Sequence, residues 1–220
     1  FQRGRSVRRL ETDLDPGLGL RPRPAKTKCV GRRFHRPAVP ADAPMPVVIP
    51  LVGLPGAGKT TLADALARAF GLRIVSRDVI RDALFPACRY TPTEQRAAFR
   101  AVLLAVEVNS ALGVGSVVVG MTFSRAADLD RVDTLARRYD ARAVPIWLDV
   151  PPHVARERIA RDLTRGAHPA ADRNPELVAQ VARRFEAPPS SVAAIDASLP
   201  VEAVRERAFE IVRKAMAAAR

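Results

Sequence analysis

A chain of 220 residues with 48% apolar side chains can build one α/β domain plus a tail. No run approaches the roughly 18 apolar residues that a membrane-spanning helix needs, so no membrane partner is expected. Two cysteines (Cys29, Cys88) and three scattered histidines (His35, His153, His168) exclude a disulfide framework and a Cys/His metal cluster, and a reducing cytoplasmic setting is expected.

The formal net charge of +13 is uneven. Residues 1–44 carry 11 basic and 4 acidic side chains; residues 45–220 carry 25 and 19. The first segment is rich in Pro and Gly and has no periodic apolar positions, so a disordered basic extension is expected. No apolar core follows its arginines, which speaks against a secretory signal. Its charge suits a nucleic-acid-binding arm. Met45 immediately precedes the first predicted strand, as an initiator would, so residues 1–44 also read as a dispensable or non-native segment. The folded domain is placed at 45–220.

Residues 47–52 read as a buried strand and 61–70 as a helix. Between them lies Gly53-Leu54-Pro55-Gly56-Ala57-Gly58-Lys59-Thr60, which fits G-x-x-x-x-G-K-[ST], the phosphate-binding loop of nucleoside triphosphate enzymes. A chance match is expected roughly once in a thousand such chains, so a mere glycine-rich turn is the weaker reading. The chain has 32 Arg and 4 Lys, and Lys59 is the only lysine between Lys28 and Lys214. A compact ammonium reaches β- and γ-phosphates where a planar guanidinium fits poorly. Gly53, Gly56 and Gly58 allow positive φ and bring backbone N–H groups to a phosphate; Pro55, Ala57 and Thr61 complete the cradle. The helix that follows points its positive end at the same anion. Thr60 offers its hydroxyl to Mg2+.

Further along, strands are predicted at 72–75, 116–119, 144–148 and 193–195, alternating with helices at 77–84, 93–112, 126–138, 154–163, 176–185 and 201–219. That alternation predicts a parallel sheet with helices on both faces. Asp78 and Arg81 follow the second strand, three residues apart and hence on one helix face. A carboxylate at that sheet edge can take a proton from a hydroxyl while the guanidinium holds the substrate; a structural ion pair at a helix start is the blander reading. Arg156, Arg158, Arg161 and Arg165 are candidates for neutralising a triphosphate, against a solvated basic helix face. The third strand ends Val119-Gly120-Met121-Thr122, without the acid that Mg2+ coordination leads one to expect; Asp149, ending the fourth, is the alternative.

From residue 46 to about 200 these motifs resemble the small P-loop kinases and AAA-type ATP-binding proteins, including polynucleotide 5′-hydroxyl kinases and zeta-toxin-like, gluconate and chloramphenicol kinases. The resemblance implies a P-loop NTPase fold of nucleotide-kinase type, with a five-stranded parallel sheet in the order 2-3-1-4-5. It implies ATP as donor, Asp78 as general base on the acceptor hydroxyl, Arg81 on the substrate, and Arg158 and Arg161 as lid residues touching ATP. Such proteins usually carry an Asp where this chain has Gly120-Met121. The expected activity is transfer of the γ-phosphate to a hydroxyl of a small molecule or a nucleic-acid end. An ATP-driven switch without an acceptor is the alternative.

Overall fold

Strand β1 (Val47–Val52) is buried at every residue and occupies the middle of the sheet. The computed structural model describes residues 45–164 and 175–218. The expectations for residues 1–44, for Arg165 and for His168 lie outside the described residues. Around β1 the elements run α1 (Lys59–Phe70), β2 (Arg73–Ser76), α2 (Arg77–Leu84), α3 (Pro92–Ala111), β3 (Ser116–Val119), α4 (Ala126–Arg138), β4 (Arg142–Ala143), β5 (Ile146–Asp149), α5 (Pro152–Thr164), α6 (Pro175–Arg183), β6 (Ala193–Asp196) and α7 (Val201–Ala217).

All strand pairings are parallel, in the order β2-β3-β1-β5-β6, with the two-residue β4 also paired to β1. The sheet thus has six strands rather than five. The single strand expected at 144–148 is split, and both pieces pair with β1: β4 opposite Val47 and Val48, β5 opposite Leu51 and Val52. The break has a chemical cause. Pro145 has no N–H to give the ladder, and across from it Pro50 has none either. With the split pair counted as one strand, the implied 2-3-1-4-5 order is the observed one.

Side-chain alternation divides the apolar residues between the two sheet faces. Val47, Ile49 and Leu51 of β1 join Val117 and Val119 under Leu62 and Leu66 of α1 and Val204, Ala208 and Val212 of α7. Val48, Val52 and Val118 face the other way, onto Phe99, Val102 and Val106 of α3 and Leu129 and Val132 of α4. Strands buried on both faces read as continuous apolar runs, which is why β1 and β3 are so plain in the sequence. Helix α3 opens with a capping box: the Thr91 hydroxyl accepts from the Glu94 N–H, the Glu94 carboxylate accepts from the Thr91 N–H, and Pro92 stands at the first turn. None of the described helices is long and apolar enough to cross a membrane.

Candidate active site

Parallel strands aim their carboxyl ends at one edge of the sheet, and the loops leaving β1, β2 and β3 meet there. The loop after β1 wraps around its own lysine. Lys59 is 6% exposed, and its Nζ donates to the carbonyls of Gly53 and Leu54, each at 2.8 Å. The glycines are demanded for different reasons. Gly53 has φ 142°, and a Cβ there would lie 2.6 Å from the Leu148 carbonyl oxygen of β5. Gly56 has φ 82°, and a Cβ would lie 2.5 Å from the Ala155 carbonyl oxygen of α5. Gly58 caps α1 in a left-handed conformation with open space around it, so backbone freedom alone calls for glycine. The helix begins at Lys59, at the end of the loop.

Two cavities flank this loop. The first, about 730 Å³, is lined by Gly56, Ala57, Gly58, Lys59, Thr60 and Thr61 of the loop and α1, and by Arg158 and Arg161 of α5. Arg158 is half-buried and Arg161 exposed, and neither forms an ion pair among the described residues. Arg156 does not line this cavity. Arg205 of α7 does, together with Leu199 and Val201, and no local motif points to any of these three.

The second cavity, about 670 Å³, lies on the other side of the loop and contains Asp78 and Arg81. Arg81 is 1% exposed; its Nη2 lies 3.1 Å from Asp78 Oδ1, and its guanidinium stacks 4.5 Å above the centre of the Tyr90 ring. Arg81 Nε also lies 4.0 Å from Asp82 Oδ1, so two carboxylates of α2 and the Tyr90 ring surround this buried cation. Tyr90 (φ 57°) and Phe123 (φ 50°) are left-handed without being glycine, and both line this cavity. Such strain concentrates at functional sites. The cavity also recruits Gln95 of α3, Arg125 and Asp128 beside and on α4, and Arg184 just past α6, none of which the sequence singles out.

The predicted residues sort cleanly. Gly56, Ala57, Gly58, Thr60 and Thr61 face the first cavity, and Pro55 lines the second. Gly53 lines neither; it is the buried bend packed on β5. Lys59 alone borders both. Asp149 lines neither, and its carbonyl accepts from the Ala197 N–H.

The missing acid at the end of β3 has a steric account. Gly120 has φ 81°, and a Cβ there would stand 2.9 Å from the Arg77 nitrogen, 2.8 Å from the Asp78 nitrogen and 3.2 Å from Asp78 Cγ. The start of α2 is packed directly onto the strand end. Asp78 brings its carboxyl to the place beside Gly120 where a side chain from β3 would otherwise project. Among the described residues no cluster of three or more His, Cys, Asp or Glu could hold a metal by itself.

Residues 48–188 match the AAA_33 family, described as an AAA domain. The chain belongs to this family. A relative within reach is the shikimate kinase of Corynebacterium glutamicum, 36% identical over 130 residues, which are 58% of this chain and 72% of that enzyme. A putative kinase from Chloroflexus aurantiacus superposes with a TM-score of 0.65 at 21% identity, over 80% of this chain and 99% of that one. A gluconokinase from Sinorhizobium meliloti gives 0.59 at 16% identity, over 79% and 94%. The Mycobacterium tuberculosis APS kinase CysC, in complex with AMPPNP and APS, gives 0.55 at 15% identity, over 77% and 97%. At these identities the structures show the shared fold, that of the small P-loop kinases. This AAA_33 member is an ATP-dependent kinase, a phosphotransferase with a hydroxyl group as acceptor.

Proposed function

We propose that ATP enters the cavity lined by Thr60, Thr61, Arg158 and Arg161, and that a small hydroxyl-bearing molecule enters the cavity lined by Asp78 and Arg81. The observation that carries this is Lys59, the one residue common to both cavities. A γ-phosphate held by its ammonium stands at the boundary between donor and acceptor. The loop N–H groups and the α1 dipole hold the β- and γ-phosphates with Lys59. Asp78 accepts the hydroxyl proton; the freed oxygen forms its bond to the γ-phosphorus as the bond to the ADP oxygen breaks, and ADP leaves with that electron pair. Arg81 fixes the Asp78 carboxylate and forms part of the acceptor wall. Arg158 and Arg161 neutralise charge on the phosphoryl group in flight.

Mg2+ suits this site. It takes oxygen ligands and usually keeps one or two from protein beside the phosphates. The exposed Thr60 hydroxyl in the donor cavity would be one such ligand, and the Asp78 carboxyl lies beside the β3 end. When bound, the ion offsets the charge of the phosphate oxygens. ATP as donor suits a cytoplasmic setting. Three of the proteins named above, the shikimate kinase, the gluconokinase and the APS kinase, are kinases of small molecules, and the expectation of a nucleic-acid acceptor gains nothing from them.

Isothermal titration with ATP·Mg2+ and a labelled-ATP screen of small alcohols test the reading. Lys59→Ala should abolish measurable ATP binding and transfer while the protein stays folded. Unchanged affinity and turnover in the folded variant would refute it. Hydrolysis without transfer to any alcohol, at equal rates in the wild type and in Asp78→Asn, would replace the kinase by an ATP-driven switch.

A further inference from the structure

Helix α3 is apolar on two sides, and the domain uses one of them. Ala98, Phe99, Val102 and Val106 are buried against the core. On the other side Ala97, Ala101, Leu104, Val108 and Ala111 follow one another at intervals of four, three, four and three residues. None of these five is buried. Leu104 is 54% exposed and Val108 40%, and Leu112, just past the helix end, is 48% exposed. Exposed apolar residues scattered singly need no partner, but these stand in one row. A helix that is apolar all round is ordinarily covered all round. The alternation of four and three is that of a coiled-coil seam, the stripe by which one helix lies along another. At 1.5 Å per residue the seam is about 21 Å long. It lines neither cavity.

The charges beside the seam decide what lies on it. Arg100 and Glu107 each precede a seam residue by one position, so they share one flank. Arg100 is exposed and forms no ion pair among the described residues. Glu107 accepts from the Tyr139 hydroxyl through Oε1, which leaves Oε2 without a donor among the described residues. Let a second α3 lie antiparallel on the first, Leu104 against Leu104. Positions equally far on either side of Leu104 then face each other, to within one residue. Ala97 meets Ala111, Ala101 meets Val108, and Arg100 meets Glu107 on both sides of the axis. In a parallel pair Arg100 would instead lie beside Ala105, and Glu107 beside Leu112, with neither charge answered. The seam is thus complementary to an inverted copy of itself, which is the condition for a closed two-fold interface.

We propose that the chain forms a two-fold symmetric dimer in which the α3 helices of two copies pack antiparallel, with Leu104 on the axis and Arg100 paired to Glu107 of the second copy. This does not depend on the kinase reading. An interface of five helical turns is at the small end of specific ones, so the dimer should dissociate in the micromolar range.

Sedimentation equilibrium of the whole chain from about 1 to 100 µM should show a monomer–dimer equilibrium with Kd of order 10 µM. Leu104→Lys sets like charges on the axis and should leave monomer alone over that range. Its ATP·Mg2+ affinity and its melting in dilute solution should match the wild type. Arg100→Glu and Glu107→Arg each bring like charges together twice and should weaken self-association about tenfold. An equimolar mixture of the two makes both contacts opposite in charge, and should pair them about as tightly as the wild type. A wild type that stays monomeric at the top of the range overturns the proposal and leaves the seam to a different protein. So does a dimer that Leu104→Lys leaves intact, because it uses another surface, or a mixture that associates no better than its components. Should loss of the Tyr139 bond unfold Glu107→Arg, Arg100→Glu is set against Arg100→Gln. Equal Kd values in those two would likewise overturn the proposal.

Discussion

The two cavities on either side of Lys59 differ in how much of their lining one stretch of sequence supplies. The proposed donor cavity takes seven consecutive residues, Gly56 to Leu62, from one turn and the helix it opens, with α5 and the start of α7 closing its far side. The acceptor cavity takes residues from the starts of α2 and α3, the loop after β3, α4 and the end of α6. A phosphate chain presents the same oxygens in every nucleotide, so backbone N–H groups and one lysine suffice, and these come from contiguous sequence. An acceptor alcohol must be told apart from others, and that needs side chains converging from several directions. Local geometry repeats the contrast. Left-handed backbone on the donor side falls on glycines, Gly56 and Gly58, whereas on the acceptor side it falls also on Tyr90 and Phe123.

The sharpest way to separate the two sides is Asp78→Asn. It keeps size and hydrogen bonding and removes the proton acceptor. Phosphate transfer to the true acceptor should fall by about 10²–10⁴-fold, with ATP affinity much less changed. Steady-state transfer beside equilibrium nucleotide binding reads both quantities. Wild-type transfer rates in the variant would remove Asp78 from the base role. A fall in ATP·Mg2+ affinity that vanishes when binding is repeated without metal would assign Asp78 to the ion as well.

What can be read in advance follows the same division. The loop, both of its helix and strand neighbours, and the Asp78/Arg81 pair are short-range patterns and are legible in the sequence. The order of strands is carried by resemblance, because periodicity says which residues are buried but not which strands pair. The split of one strand into β4 and β5 escapes the pattern although Pro145 stands in its middle; an apolar run on both sides outweighs it. Tyr90, Gln95, Phe123 and Arg184 give no signal, since their common address exists only once α3, β3 and α6 are packed. Gly120 stands out in the sequence only as a missing acid. Its actual reason, a strand end pressed against two backbone nitrogens of α2, is a contact between distant segments that no spacing rule contains.

Gly120→Ala tests that contact and should be the next largest effect. The added methyl meets α2 backbone at under 3.0 Å in a left-handed conformation, so the start of α2 and Asp78 must shift. Strain of this kind is of order 1–3 kcal/mol. A displaced base should lower kcat about tenfold to a hundredfold while the KM for ATP holds, since misplacement by an ångström has that consequence. Thermal melting together with kcat and KM checks it. Equal loss on the donor side would mean that the glycine serves the whole edge of the sheet rather than Asp78. A smaller effect is expected from Arg161→Ala, since Arg161 is exposed and borders only the donor cavity. It should lower kcat by severalfold with a modest rise in the KM for ATP and leave acceptor KM unchanged, as removal of one partly solvated charge beside the phosphoryl group does; initial rates with each substrate varied in turn decide it.

The smallest predicted effect is the share of the pH dependence that the acceptor side contributes. Tyr90 and Gln95 flank the capping box of α3, and the Glu94 carboxyl is held below its ordinary value of 4.5, first by the Thr91 N–H. Folded protein therefore releases this proton more readily than unfolded protein. The associated stability is complete above the ordinary glutamate range and is lost as pH falls through the lowered folded value. Asp196, at the end of β6, is likewise lowered, chiefly by the Ser198 hydroxyl, so wild-type acid sensitivity has a source near each cavity. Glu94→Gln separates them. Glutamine still closes a capping box but does not titrate, so only the contribution from α3 disappears. Amide hydrogen exchange at residues 89–95, corrected for intrinsic pH effects, should rise in wild type between pH 6 and the acid limb, by an amount that Glu94→Gln removes, while exchange in residues 53–60 follows the same course in both proteins. If the phosphate loop loosens together with α3 in wild type and both are rescued by Glu94→Gln, the two sides of Lys59 open as one unit, and the independence argued for them is gone.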